Sequence, residues 1–247
     1  MGCLLLSDDK AFSAPPSWLP LVLATAPIVV VHVCYLLSAH YGYVDKCNPY
    51  IEGCTSISAA GRHGPSYFLF KAGMIPVALL AIVFWVYSSR WLRSSSDRRP
   101  VRTLLLAIIG CTSALFLIVY TISLGSHGDL YRFMRRVGVI IYFSCSYLAQ
   151  LLLLAGIQRL TTQGHLSLPR YALTGKYTLV IGLMIFGAAS IPIMNYLEDK
   201  DALQNSIEWW FSLLMTSYYF FTWRIWRSTT GIGYRKSAPK PGGIKNK

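Results

Sequence analysis

The sequence predicts an all-α polytopic membrane protein, a single bundle of six transmembrane helices. Three observations carry this. Of the 247 residues, 54% are hydrophobic and 13% are charged, with a mean hydropathy of +0.45; a soluble domain carries about a quarter charged residues. The apolar residues fall in blocks long enough for a bilayer crossing, which takes roughly 20 residues per helix. The basic residues gather in alternate links between those blocks, as the positive-inside bias requires. Uninterrupted apolar runs argue against a barrel, so each span must satisfy its own backbone as a helix.

The first span covers about Trp18 to Leu37, introduced by Pro15 and Pro16, with Pro20 and Pro27 inside it. Pro27 removes a backbone donor and is expected to kink it. The second, about Tyr67 to Tyr87, carries Lys71 one turn in and Pro76 near its middle. The third runs from about Thr103 to Ser123, the fourth from Val137 to Ile157 and the fifth from Tyr177 to Tyr196. The sixth, about Ile207 to Trp226, opens on Glu208. The seven tryptophans fall near span ends, as in an interfacial belt. The resulting division is a segment 1–17, a transmembrane domain 18–227 with an outer loop at 38–66, and a basic tail 228–247. The start, with Cys3, matches neither a cleavable signal nor a full myristoylation motif.

Six spans place both termini on one side. That side receives Lys10, Arg90, Arg93, Arg98, Arg99, Arg102, Arg159, Arg170, Lys176 and the seven basic residues from Arg224 onward. Against them stand only Asp8, Asp9 and Asp97, so the whole net charge of +13 lies there. The expectation is cytoplasmic termini in a plasma or bacterial inner membrane. The charge reports topology, and no aromatic-basic motif points to nucleic acid.

The stretch from Cys47 to Gly64, CNPYIEGCTSISAAGRHG, then lies outside. There Cys47 and Cys54 can pair in an oxidising compartment; two free thiols are the alternative. Lys71 and Glu208 sit at similar depth and can pair, or Lys71 snorkels while Glu208 caps its helix. In YRFMRR, Arg132, Arg135 and Arg136 share a helical face and suit a phosphate, with Arg62 beside them. Interfacial snorkelling next to Asp129 is the plainer reading. His63, His127, Asp129 and Glu208 are the candidates for acid–base work, and Glu52, Arg62, Lys71, Arg132, Arg135 and Arg136 for ligand binding. The scattered histidines lack metal spacing, and no cofactor motif is present. Neither an acidic chain through the spans nor paired broken helices point to a pump or transporter.

The order of these features resembles the DRAM superfamily, which includes damage-regulated autophagy modulators and proteins that remodel GPI-anchor lipid. The residues that carry the likeness are NPYIEGCTSISAAGRHGP before the second span, His127 in SHGD before the fourth, and Glu208-Trp209 opening the sixth. Cys47, Cys54 and YRFMRR depart from the pattern. The resemblance implies lipid handling in the outer leaflet. The expected function is therefore non-enzymatic binding or organising of lipids, with anionic phospholipid headgroups as partners of an outer polar pocket. Two alternatives stand beside it: an intramembrane lipid-modifying enzyme using His127 or His63, and a docking subunit for another membrane protein.

Overall fold

A computed structural model describes residues 15–95, 100–164, 166, 168, 170–196 and 200–231, with the side chains of 191–196, 230 and 231 excepted. The expectations for Cys3, for Asp97 to Arg99 and for the tail beyond 231 lie outside the described residues. Seven helices follow one another: α1 (Trp18–His40), α2 (Ile57–Ala60), α3 (Gly64–Ser94), α4 (Pro100–Ser123), α5 (Asp129–Thr162), α6 (Arg170–Tyr196) and α7 (Lys200–Gly231).

Five of these are long and apolar enough to cross a membrane: α1, α3, α4, α5 and the Arg170–Ser190 part of α6. The expected sixth span falls in α7, which is 32 residues long but outside that set. Its inward side is aromatic and hydroxylated rather than aliphatic, with Tyr218, Thr222 and Trp226 fully buried. It nevertheless runs the thickness of the bundle. At one end Trp209 bonds the loop at Thr55, and at the other Arg224 reaches Tyr171 at the start of α6.

The long helices pack in the order α6, α7, α1, α3, α4, α5, with a slighter α5–α6 contact closing the ring. One core cluster joins Phe84, Trp85, Leu153, Ile157, Tyr218 and Trp226. A second, toward the end that carries residues 41–63, joins Cys34, Phe70, Leu117, Tyr120 and Trp209. Small residues let the helices approach, as membrane packing favours. A Cβ on Gly138 of α5 would stand 3.1 Å from the Tyr120 backbone of α4. Hydroxyls join α1 to its neighbours: Ser66 Oγ of α3 donates to the Cys34 carbonyl at 2.9 Å, and Ser38 Oγ to the Ala60 carbonyl of α2 at 2.7 Å.

Two sequence expectations need correction. Trp85, Trp91, Trp209 and Trp226 are buried in the bundle, whereas Trp18 and Trp210 are exposed. An indole near a helix end can bury its whole ring among aromatic partners when a neighbouring helix faces it, as Phe84 of α3 faces Trp226 and Tyr219 of α7 faces Trp85. Lys176 does not belong to a solvated link. It lies in α6, fully buried, its Nζ donating to Thr222 Oγ1 at 2.6 Å and sitting 3.3 Å above the Tyr218 ring. A hydroxyl and a π face replace the water that a link would have supplied. Nearby, Tyr218 Oη donates to the Gln150 carbonyl at 2.6 Å and Gln150 Nε2 to the Met215 carbonyl at 3.2 Å.

Candidate functional site

The chain leaves α1 into a loop that folds back over the helix ends. Cys47 and Cys54 form a disulfide within it, and this end of the bundle is called the bridged face below. Inside the closed turn, Asn48 N–H donates to Glu52 Oε1 at 2.7 Å and Tyr50 N–H to Asn48 Oδ1 at 3.1 Å. Gly53 adopts φ +60°, and a Cβ there would run into the Ala202 carbonyl. Only glycine combines that dihedral with that approach.

Backbone groups in such a loop need partners once water thins out. α7 supplies three. Trp210 Nε1 donates to the Tyr50 carbonyl at 3.0 Å, Asn205 Nδ2 to the Gly53 carbonyl at 2.8 Å, and Trp209 Nε1 to the Thr55 carbonyl at 2.9 Å. From α1, Tyr35 Oη donates to the Cys47 carbonyl at 2.6 Å and accepts its N–H at 2.9 Å. His32 Nδ1 lies 2.7 Å from the Ile28 carbonyl, and Nε2 lies 3.1 Å from Tyr50 Oη. A carbonyl only accepts, so Nδ1 carries the proton and Tyr50 donates to Nε2. Burial pushes the Tyr50 hydroxyl above its ordinary pKa, consistent with this donor role.

The first turns of α7 aim successive side chains in different directions. Trp209 packs on α1 beside His32 and Tyr35, and Trp210 packs on Tyr50. Glu208 lies near α2, within electrostatic reach of the Ser58 backbone and the Arg62 guanidinium. Tyr120, in the last turn of α4, lies within electrostatic reach of Glu208, Arg62 and Arg135 together. Arg62 is held by its own turn, donating to the Ser58 carbonyl and to Ser58 Oγ, each at 3.1 Å. Arg135 Nη1 donates to the carbonyls of Ser123 at 3.0 Å and Ser126 at 2.8 Å, closing the C-terminal end of α4.

Glu208, Arg62, Arg135 and Tyr120 thus converge from α7, the loop after α2, α5 and α4. Lys71 meets the same last turn of α4. It bonds Tyr67 Oη at 2.6 Å and the Ile122 carbonyl at 3.0 Å, so the Lys71–Glu208 pair considered from the sequence gives way to a backbone contact with α4. A lysine near a helix end finds an orphan carbonyl at once, without crossing to a distant acid.

The remaining candidates lie elsewhere. Arg132 pairs with Asp129 at 3.7 Å on an exposed turn, and Arg136 is exposed. The three arginines of YRFMRR therefore do not serve one ligand. At 34 residues α5 is about 51 Å long, well beyond the roughly 30 Å of hydrocarbon, which leaves room for its charged first turns outside the apolar layer. His127 is exposed and has no hydrogen-bond partner among the described residues. His63 precedes α3, stacked on Tyr43 with ring centroids 5.6 Å apart. Partial burial, and then the neighbouring Arg62 charge, lower its pKa below the usual imidazole value. Glu52 lines a separate cleft with Tyr50 and Trp210. Among the described residues no cluster of His, Cys, Asp and Glu could hold a metal ion.

Sequence reasoning missed Tyr120 and the three clamps Asn205, Trp209 and Trp210. A tyrosine at a span end has the pattern of an ordinary interfacial residue, and the clamps act on loop carbonyls whose position no local pattern encodes.

No curated protein and no solved structure matches the chain. The family described as the Frag1/DRAM/Sfk1/Cwh43P N-terminal domain matches residues 15–224, from just ahead of α1 to the last turns of α7. This multi-pass helical membrane protein, with its bridged loop clamped to the last helix, belongs to the Frag1/DRAM/Sfk1 family.

Proposed function

We propose that this chain binds or organises membrane lipids, without catalysis, at the bridged face. We take that face to be the outer one, with the basic ends in the cytoplasm. The observation that carries the reading is the placement of two guanidinium groups at this end of the bundle: Arg62, exposed on the turn after α2, and Arg135, bonded at the C-terminal end of α4. Lys71 also bonds the last turn of α4, so three basic side chains lie near helix ends, the depth at which lipid phosphates are expected. A guanidinium holds a phosphate through paired charge-assisted bonds. Arg62 is exposed, and its described bonds stay within its own turn, so it can turn outward to a headgroup. An anionic phospholipid headgroup is the ligand this charge balance favours.

The test is lipid retention by the purified full chain in native mass spectrometry. Phosphatidylglycerol should outcompete a neutral diacylglycerol of the same chains, and Arg62→Gln should weaken its retention about tenfold, the scale of one charge-assisted bond. Equal retention by wild type and variant removes the proposal.

A lipid-modifying reaction is the second reading. What favours it is His63, an imidazole beside the Arg62 guanidinium whose pKa partial desolvation and that charge lower. His127, the other candidate base, has only solvent about it. Lipidomics of a deletion strain separates the readings: a missing lipid product points to catalysis, and an unchanged lipid inventory points to binding.

A further inference from the structure

The cleft that contains Glu52 lies apart from the arginine cluster and has different chemistry. It is an open cleft of about 380 Å³ between the bridged loop, α6 and the first turns of α7. That is the lower end of the range for small-ligand sites. Three aromatic rings line it: Tyr50 from the loop, Trp210 from α7 and Phe186 from α6. The Tyr50 and Trp210 rings meet nearly edge to face, with centroids 5.2 Å apart and planes at 72°. Both are fixed from behind. Tyr50 Oη is tied to His32 at 3.1 Å, and Trp210 Nε1 to the Tyr50 carbonyl at 3.0 Å. Glu52 stands at the mouth, exposed. Asn48 N–H occupies Oε1, and Oε2 has no hydrogen-bond partner among the described residues. No lysine or arginine is among the lining residues. Leu203 and Ile207 continue the cleft as an apolar wall.

Aromatic faces at right angles beside an unpaired carboxylate are the recognition chemistry of a quaternary ammonium. Such a cation is weakly hydrated, donates no hydrogen bond, and gains from π faces and a nearby negative charge without needing a directed partner. We propose that this cleft binds the trimethylammonium group of a choline phospholipid. The lipid, rather than free choline, is the occupant because Leu203, Ile207 and Phe186 make one side of the cleft apolar, and Phe186 belongs to the span-length apolar stretch of α6. The site is independent of the phosphate-binding reading of Arg62 and requires only that the bridged face meet a leaflet.

The experiment is native mass spectrometry of the full chain in maltoside micelles. The probes are diheptanoyl phosphatidylcholine, diheptanoyl phosphatidylglycerol and choline chloride. The variant is Glu52→Gln, whose amide oxygen can still accept the Asn48 N–H, so the turn is preserved. The expected result is phosphatidylcholine retention weakened about fivefold by Glu52→Gln and about tenfold by Trp210→Leu, the scale of a partly desolvated cation–π site. Phosphatidylglycerol retention should be unmoved by Glu52→Gln and lowered by Arg62→Gln, so failure at one site is read separately from failure at the other. Unchanged phosphatidylcholine retention in Glu52→Gln overturns the proposal. Choline chloride displacing the lipid at equal concentration overturns the lipid as occupant, because headgroup contacts alone would then account for binding.

Discussion

Trp209 is the residue whose loss the structure prices most directly. It is 1% exposed, and its Nε1–H donates at 2.9 Å to the carbonyl of Thr55, itself 3% exposed. Trp209→Phe keeps a ring in place but removes the donor. A buried acceptor left without a partner costs about 1–3 kcal/mol. The indole also makes edge contacts with His32 at 5.3 Å and Tyr35 at 6.0 Å, of which the smaller phenyl retains a part. Each such contact is worth about 0.5–1.5 kcal/mol. A destabilisation of about 2–4 kcal/mol follows from the two together. Equilibrium unfolding in mixed micelles, with Trp18→Phe as the exposed control, measures it. Trp210→Phe breaks a bond of nearly the same length at a residue that is 42% exposed, where water can replace the donor. It should cost only about 0.5–1.5 kcal/mol. If Trp209→Phe costs no more than Trp18→Phe, the loop is not held by α7 and the description of the bridged face is wrong.

Four other outcomes follow from the same geometry. Gly53→Ala forces an L residue to φ +60° and drives its Cβ toward the Ala202 carbonyl; it should destabilise by at least about 1–2 kcal/mol, read by the same unfolding assay. Cys47→Ser with Cys54→Ser opens a loop with a sequence separation of 7, and chain entropy puts the loss at about 2.5 kcal/mol, seen as a lowered denaturant midpoint that reductant does not lower further. Arg135→Met frees the Ser123 and Ser126 carbonyls; it should cost about 1.5–3 kcal/mol and raise hydrogen exchange in the last turn of α4, whereas unchanged exchange there would show that the cap is unimportant. His63 has a lowered folded-state pKa, so as pH falls through its unfolded value the unfolded chain binds the proton first and stability drops. His63→Asn should therefore lose less thermal stability than wild type between about pH 7.5 and 5.5, and parallel losses would count against a lowered His63 pKa.

The membrane architecture was legible in the order of residues because lipid imposes a one-dimensional rule. A span must be apolar for about 20 residues, and its backbone must satisfy itself. That rule places α1 and α3 to α6 without reference to contacts, and composition and order alone carried the family likeness. The same rule falters on α7, where a span was expected but tyrosine, tryptophan and threonine stand in for aliphatic residues on the side that packs against other helices. It fails again at Lys176, whose charge reads as a link residue in sequence and whose partners, Thr222 and Tyr218, come from another helix.

The spacing of Cys47 and Cys54 made a bridge possible, but their joining depended on the loop's path, which Tyr35, Asn205, Trp209 and Trp210 set from distant positions. The sequence also offered one outer group of charged candidates. Packing divided it into an arginine cluster around Tyr120 and an aromatic cleft at Glu52, and left Arg132, Arg136 and His127 in solvent. Adjacent residues of α7 show why. Glu208, Trp209 and Trp210 are neighbours in the chain, yet each successive residue turns about 100° around the helix axis. Three consecutive letters therefore serve three different surroundings, and only the arrangement of the neighbouring helices determines what each one meets.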